Sequence, residues 1–226
     1  MIKAVIFDLD DTLVSELKFV KSGYAFIAKL LKETYPSHFA DTAKTEASLL
    51  KLFEEDHKNV FNRILANKGL NDERENVLPL VKAYREHFPS ISYESDVPET
   101  LVALKRKGIK TGILTDGLKE TQRHKIEALK AEKDFDIIVI TDELGKDAWK
   151  PSPVGFKHIA KALSIDMDEI LYVGDNPEKD FYLKKSAGIK TARIIRPEGV
   201  YADKPYKEGV REDFRLNSLT DLLEII

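Results

Sequence analysis

Short runs of apolar residues alternate with helical patterns over most of the chain. Five runs are mainly apolar and do not alternate with polar residues, at residues 2–7, 109–114, 136–140, 170–173 and 191–195. Such runs are typical of parallel strands that helices cover on both faces. The connecting segments show the three-to-four-residue spacing of amphipathic helices, at residues 98–107, 118–130, 153–163 and 178–187. We therefore predict a doubly wound α/β fold with a mainly parallel sheet.

The stretch from residue 14 to residue 93 interrupts this alternation, because it has helical patterns and no strand pattern. Apolar residues recur there at helical spacing in three groups: Leu17, Val20, Tyr24, Ile27 and Leu31; Leu49, Leu52, Phe53, Val60 and Ile64; and Val77, Leu80, Val81, Tyr84 and Phe88. We predict an all-α domain at residues 14–93, inserted into an α/β domain made of residues 1–13 and 94–226. A last helix is predicted from Ser218, with Asp221 in its N-terminal cap.

Composition narrows the class of protein. The chain has 226 residues, of which 42% are hydrophobic, and this is enough for a packed core. A formal net charge of −3 gives no reason to expect nucleic acid or a membrane surface as a partner. The chain has no cysteine, no signal-peptide pattern, and no run near the roughly 18 apolar residues of a membrane span. We expect a cytoplasmic protein.

Polar residues follow the predicted strands where each strand ends. Asp8 and Asp10 follow the first strand, and Thr115 and Asp116 end the second. Lys150 comes downstream of the third strand, before a helix, and the fourth strand is followed by Asp175 and then Asp180. Ligands of open parallel sheets bind beyond the carboxyl ends of the strands, so we expect these side chains to converge on one crevice.

Each of these residues also has an ordinary structural explanation. An aspartate or threonine after a strand is often the N-cap of the next helix. Asp-Asn-Pro is a common turn, and Lys150 can be a surface lysine. The order of all of them at strand ends nevertheless favours a shared site.

The chemistry of this set favours a metal-dependent reaction of phosphate. Asp8, Asp10 and Asp175 would repel one another unless a cation lay among them, and ligation by oxygen alone suits Mg²⁺. Thr115, Lys150 and the backbone N–H groups of Asp116 and Gly117 can then hold phosphoryl oxygens. A carboxylate is also a competent nucleophile toward phosphorus.

The stretches "DLDDT", "LTDG", "KPSP" and "GDNPEKD" resemble, in this order, the four motifs of the haloacid dehalogenase superfamily. The helical insertion after the first motif is similar to the cap of its phosphoglycolate-phosphatase-like subgroup. The resemblance implies that Asp8 attacks phosphorus and becomes an aspartyl-phosphate. It implies that Asp10 is the general acid and then the general base, and that Thr115 and Lys150 stabilise the phosphoryl group.

The resemblance also implies a magnesium site. Its ligands would be the Asp8 carboxylate, the Asp10 backbone carbonyl and Asp175. Asp180 would support these ligands without binding the ion directly. The second motif more often reads Ser/Thr-Asn-Gly, so Asp116 is a departure that adds an acid near the phosphate. This departure leaves the expected hydrolase chemistry unchanged.

The same residues leave three alternatives to a phosphatase. Dehalogenases of the superfamily lack an acid at the position of Asp10 and need no metal, so Asp10 favours phosphatase chemistry. Receiver-like phosphorylation switches are about half as long and have no helical insertion after the first strand. A phosphate-binding scaffold without turnover would not need every catalytic residue type, whereas this sequence has all of them. We therefore predict a Mg²⁺-dependent phosphatase of a small phosphorylated metabolite, acting as a monomer or homodimer.

Residues of the insertion are candidates for contacts with the leaving group. Lys18 and Lys21 lie off the apolar stripe of the first predicted insertion helix, and Arg63 is a third cation in this domain. They would favour a second anionic group on the substrate. The ordinary explanation is that they are solvated surface charges.

Overall fold

The computed structural model describes residues 1–197, 199, 201 and 203–226. They form two compact units, one made of Met1–Glu16 with Ile91–Ile226 and the other of Leu17–Ser90. We call them the α/β unit and the helical unit. The predicted insertion at residues 14–93 extends three residues beyond the helical unit at each end.

The helices of the helical unit are α1 (Glu16–Thr34, whose first residue is counted with the α/β unit), α2 (Thr42–Glu55), α3 (Val60–Ala66) and α4 (Arg74–Glu86). Their apolar stripes meet in one core that contains Tyr24, Ile27, Leu49 and Ile64. Gly23 allows α1 to approach Tyr84 closely, because a Cβ at this position would lie 2.3 Å from the tyrosine Cε2. Of the described helices, none is both long enough and apolar enough to cross a membrane.

Six strands form the sheet of the α/β unit: β1 (Ala4–Phe7), β2 (Lys110–Thr115), β3 (Ile137–Ile140), β4 (Ile170–Gly174), β5 (Lys190–Ile194) and β6 (Phe214–Leu216). All neighbours pair in parallel, in the order β3–β2–β1–β4–β5–β6. The chain thus leaves β1 on one side for β2 and β3 and crosses to the other side for β4. A reversal of this kind opens a crevice at the carboxyl ends of the two central strands.

Helices cover both faces of this sheet. They are α5 (Val97–Arg106), α6 (Lys119–Leu129), α7 (Val154–Leu163), α8 (Leu183–Ser186) and α9 (Leu222–Ile225). Val5 and Phe7 of β1 pack in one core with α5, α6 and α9, whereas Ala4 and Ile6 pack in a second core with α7 and α8. Successive residues of a strand point to opposite faces, which explains why a strand buried on both sides is apolar throughout. The predicted doubly wound fold is confirmed.

The ends of the five predicted strands differ from the observed ends by at most two residues, and β6 was not predicted. The predicted helix at 178–187 is wrong over its first half, because only Leu183–Ser186 is α-helical. Asp180 Oδ2 accepts the Asn176 N–H, and Asn176 Oδ1 accepts the Glu178 N–H, both at 2.9 Å. Such bonds compete with helical ones and hold this segment in turns. The predicted cap at Ser218 is present as a capping box with Asp221.

Candidate active site

Asp8 lies directly after β1, at the carboxyl end of the sheet. Its backbone N–H donates to the Val173 carbonyl at 2.8 Å, so strand pairing determines its position. Its side chain is 9% exposed. Oδ1 accepts the backbone N–H of Leu9 at 2.9 Å, and Oδ2 accepts a hydrogen bond from Lys150 Nζ at 2.7 Å.

Lys150 places a buried ammonium among the strand ends. Besides Asp8, its Nζ lies 3.1 Å from Asp180 Oδ1 and donates to the Tyr172 hydroxyl at 2.6 Å. Burial alone would lower the pKa of Lys150, but the carboxylates of Asp180 and Asp8 raise it well above the ordinary value. This lysine is therefore a permanent cation at the site.

Three acids cluster beside this lysine, and two of them, Asp8 and Asp180, contact it directly. Carboxylate oxygens of Asp8, Asp175 and Asp180 all lie within 4.8 Å of one another. Burial raises the pKa of Asp8 to about 6 against the attraction of Lys150. Burial, with repulsion from Asp180 and Asp8, raises the pKa of Asp175 well above its ordinary value. The positive charge of Lys150 is therefore not enough to balance three ionised carboxylates.

A divalent cation fits this cluster. Asp175 Oδ2 is buried and has no hydrogen-bond partner among the described residues, as expected of an oxygen that serves as a metal ligand. Gly174 is required beside it, since a Cβ there would lie 2.4 Å from Asp180 Oδ2. The donors are all carboxylate oxygens, which hard divalent cations prefer. The Asp10 side chain does not belong to this group of three.

Asp10 instead faces α6. Its Oδ1 accepts a hydrogen bond from Lys125 Nζ at 2.6 Å, and its Oδ2 accepts one from Gln122 Nε2 at 3.0 Å. The same amide nitrogen donates to Thr115 Oγ1 at 2.6 Å. Asp10 and Thr115, which the sequence placed at the ends of two strands, are thus joined through Gln122.

Asp116 is the departure noted in the second motif, and its carboxylate is fully engaged. Oδ1 accepts from the Thr141 hydroxyl at 2.8 Å and from the Lys150 backbone N–H at 3.1 Å, and Oδ2 accepts from Lys179 Nζ at 2.9 Å. Burial opposes ionisation, but Lys150 and Lys179 outweigh it and lower the pKa of Asp116. The extra acid is therefore neutralised by cations of the neighbouring loops. Gly117 follows with a φ of +126°, which favours glycine.

The candidate residues of the insertion lie in the helical unit. The Arg63 guanidinium donates to the backbone carbonyls of Leu52 and Asp56 and lies 3.5 Å from Glu55 Oε2. Lys18 is half-buried and Lys21 is exposed. Their contribution to substrate binding stays a prediction.

Residues 5–194 match the family described as haloacid dehalogenase-like hydrolases. The chain belongs to this family. It is 34% identical over its whole length to the glyceraldehyde 3-phosphate phosphatase of Pyrococcus furiosus, with 93% of that protein covered. It is 31% identical to the protein of the same name from Methanopyrus kandleri, over 100% of this chain and 97% of the relative.

Solved structures support the same fold. A predicted phosphoglycolate phosphatase from Haemophilus somnus superposes with a TM-score of 0.66 and 19% identity, over 99% of this chain and 97% of the other. A putative β-phosphoglucomutase from Thermotoga maritima gives a TM-score of 0.65 at 19% identity, over 99% and 98% of the two chains. The predictions of a superfamily member and of a hydrolase are confirmed.

Sequence reasoning missed several residues of this hydrolase site. Gln122 and Lys125 hold Asp10, Lys179 holds Asp116, and Tyr172 contacts Lys150. Glu16, the first residue of α1, also interacts electrostatically with these acids. Burial, together with repulsion from Asp10, raises the pKa of Glu16 to about 7. One available signal was the three-residue spacing of Gln122 and Lys125 in a helix that starts just after the second motif.

Proposed function

We propose that this hydrolase is a Mg²⁺-dependent phosphatase that acts on a small phosphomonoester through an aspartyl-phosphate. The observation that carries the proposal is the cluster at the carboxyl ends of β1 and β4. A buried aspartate there has one oxygen held by a backbone N–H and the other by a permanent cation, beside two further acids. Two relatives above 30% identity that span the whole chain are named phosphatases, in agreement with this cluster.

Asp8 is the proposed nucleophile. One of its carboxylate oxygens attacks phosphorus, and the bond from phosphorus to the ester oxygen breaks with its electron pair on that oxygen. Lys150, 2.7 Å from Asp8 Oδ2, compensates negative charge where the carboxylate and phosphoryl group approach each other. This pairing explains why the lysine is buried.

Asp10 is the proposed acid and base. Its proton passes to the leaving ester oxygen, and the resulting carboxylate then accepts a proton from the water that attacks phosphorus. Release of phosphate regenerates the Asp8 carboxylate. Thr115, with the backbone N–H groups of Asp116 and Gly117, is proposed to hold the phosphoryl oxygens.

Mg²⁺ is the proposed metal because the available donors are oxygens. The Asp8 carboxylate, the Asp10 backbone carbonyl and Asp175 would hold it, and Asp180 would support Asp8 through Lys150. When bound, the ion would supply positive charge that offsets the substrate phosphate. Asp175 Oδ2, buried without a hydrogen-bond partner among the described residues, supports this assignment.

A triose phosphate is the first substrate to test, because relatives at 31% and 34% identity are named glyceraldehyde 3-phosphate phosphatases. Lys18, Lys21 and Arg63 are proposed to contribute to the choice of the leaving group. Action in the cytoplasm as a monomer or homodimer stays a sequence-based prediction.

The test is a screen for phosphate release, with Mg²⁺ and with a chelator. Glyceraldehyde 3-phosphate, phosphoglycolate, a nucleoside monophosphate and p-nitrophenyl phosphate serve as esters, and inorganic pyrophosphate is included because a 29% identical relative from Bacillus cereus is named pyrophosphatase PpaX. We expect Mg²⁺-dependent release from a small ester. Absence of release from every compound would reject the proposal.

A second experiment tests the role of Asp10. With p-nitrophenyl phosphate, whose leaving group needs little protonation, D10N should release about one nitrophenol per enzyme and then stop, because the asparagine cannot accept the proton of the hydrolytic water. Steady turnover by D10N would exclude Asp10 as the base.

A further inference from the structure

One face of α6 carries two polar side chains into the interior. Gln122 and Lys125 are three residues apart and therefore lie on the same side of the helix as the buried Ile126 and Leu129. Gln122 is 2% exposed, and the Lys125 side chain is 4% exposed. Burying an amide and an ammonium on an apolar face is costly unless both find partners.

Both side chains find a partner in Asp10, and they bind different oxygens of its carboxylate. Lys125 donates to Oδ1 at 2.6 Å, and Gln122 donates to Oδ2 at 3.0 Å. Two donors on two oxygens restrict rotation of the carboxyl group about its last bond. The orientation of Asp10 is therefore determined by α6, outside the four motifs of the sequence.

Gln122 also controls the direction of a hydrogen bond at Thr115. The amide nitrogen has two protons, and the second goes to Thr115 Oγ1 at 2.6 Å. Because this hydroxyl oxygen accepts from Gln122, its own proton is left to donate elsewhere. It points to the Asp116 carbonyl, 3.3 Å away, a long contact that a phosphoryl oxygen would readily replace.

We infer that Gln122 and Lys125 are positioning residues: they aim Asp10 at the leaving oxygen, and Gln122 keeps the Thr115 hydroxyl as a donor to the phosphoryl group. This inference rests on the proposed function. Neither side chain has to touch the substrate for this effect. A purely structural role, in which the two residues only fill the interface between α6 and the sheet, makes different kinetic predictions.

The leaving group separates the two roles. An alkyl phosphate needs a proton on its departing oxygen, whereas p-nitrophenolate leaves almost unaided. Misplacing Asp10 should therefore lower kcat/KM for glyceraldehyde 3-phosphate, or the best alkyl ester of the screen, more than for p-nitrophenyl phosphate. Damage to the fold would lower both values equally.

The first comparison uses K125M, which keeps the length of the side chain and removes the charge. We expect the alkyl-to-aryl ratio of kcat/KM to fall on the order of 10–100-fold, which is part of the roughly 10²–10⁴-fold that general acid–base catalysis usually contributes. K125R should recover part of this loss, because it keeps a charged donor. The matched control is K119M at the exposed first residue of the same helix, which should leave the ratio unchanged. An unchanged ratio in folded K125M would refute the role of Lys125.

The second comparison uses Q122M and Q122E, which resemble glutamine in size. A glutamate would accept the Thr115 proton and repel Asp10, so Q122E should lose more kcat than Q122M and should bind inorganic phosphate more weakly as a competitive inhibitor. Equal losses in the two variants would refute the role of Gln122, and this arm decides the inference if K125M does not fold. Failure of the wild-type protein to hydrolyse any ester would instead reject the proposed function.

Discussion

Asp96 and Asp8 both lie at the ends of elements in the α/β unit, but their surroundings differ. Asp96 precedes α5, and its carboxylate binds Arg196 through two hydrogen bonds of 2.9 and 3.0 Å. It also accepts the Leu219 N–H at 2.9 Å and the Ser218 hydroxyl at 3.2 Å. Burial opposes ionisation, but these bonds outweigh it and lower the pKa of Asp96.

The cluster around Asp8 is the opposite case. It has three acids within 4.8 Å and a buried carboxylate oxygen without a hydrogen-bond partner among the described residues, and the pKa values of Asp8 and Asp175 are raised. A satisfied carboxylate stabilises the fold, whereas a crowded one is unfavourable until a cation or a reacting group arrives. The difference between the two clusters separates a structural acid from the proposed nucleophile.

The largest expected effect is on catalysis by D8N. Loss of the nucleophile should lower kcat by at least about 10³-fold in the phosphate-release assay. The same change removes one charge from a crowded cluster, so metal-free D8N should be more stable to urea by about 1–3 kcal/mol. The exposed variant D168N serves as the control for both measurements. Lower stability of D8N would mean that the cluster is not strained by its own charge.

The second largest effect is on the stability of the fold and concerns Asp96 with its partner Arg196. D96N leaves Arg196 without its charged partner, so we expect the free energy of unfolding in urea to fall by about 2–4 kcal/mol. The kcat of the folded protein should change little, because Asp96 has no proposed role in the reaction. D166N, at an exposed N-cap in the same unit, should cost far less, since asparagine also caps helices well. Equal losses in D96N and D166N would contradict the comparison.

The smallest effect is the pH dependence of this stabilisation. The pKa of Asp96 is lower in the folded protein than in the unfolded chain, so the unfolded chain binds more protons between the two values. The difference in stability between wild type and D96N should be complete above the ordinary pKa of about 4 and should shrink as the pH falls through the lowered value. Urea titrations from neutral pH to pH 3 measure it. A difference that stays constant across this range would show that the charge of Asp96 is not involved.

Much of the α/β fold was predictable from local patterns. Mainly apolar runs identified five strands, because a strand that is buried on both faces has no solvent-exposed face for polar side chains. The positions of Asp8, Asp175 and Thr115 at strand ends followed from the same runs. The turns before α8 were missed, because Asn176 and Asp180 bind the neighbouring backbone instead of letting a helix start.

The contacts of these acids with residues far along the chain were not predictable in this way. Asp96 and Arg196 are 100 positions apart, and Asp10 and Lys125 are 115 apart. Nothing local links such residues, and the face that α6 turns toward Asp10 depends on how this helix packs against the sheet.

The sequence alone was enough to place acids, a threonine and a lysine at the carboxyl ends of parallel strands, because strand periodicity and chain order are local properties. Only the tertiary structure decided which acids share Lys150, which one is satisfied by arginine and which one is held by α6. Charges interact through space, and folding sets the distances between residues that are far apart along the chain.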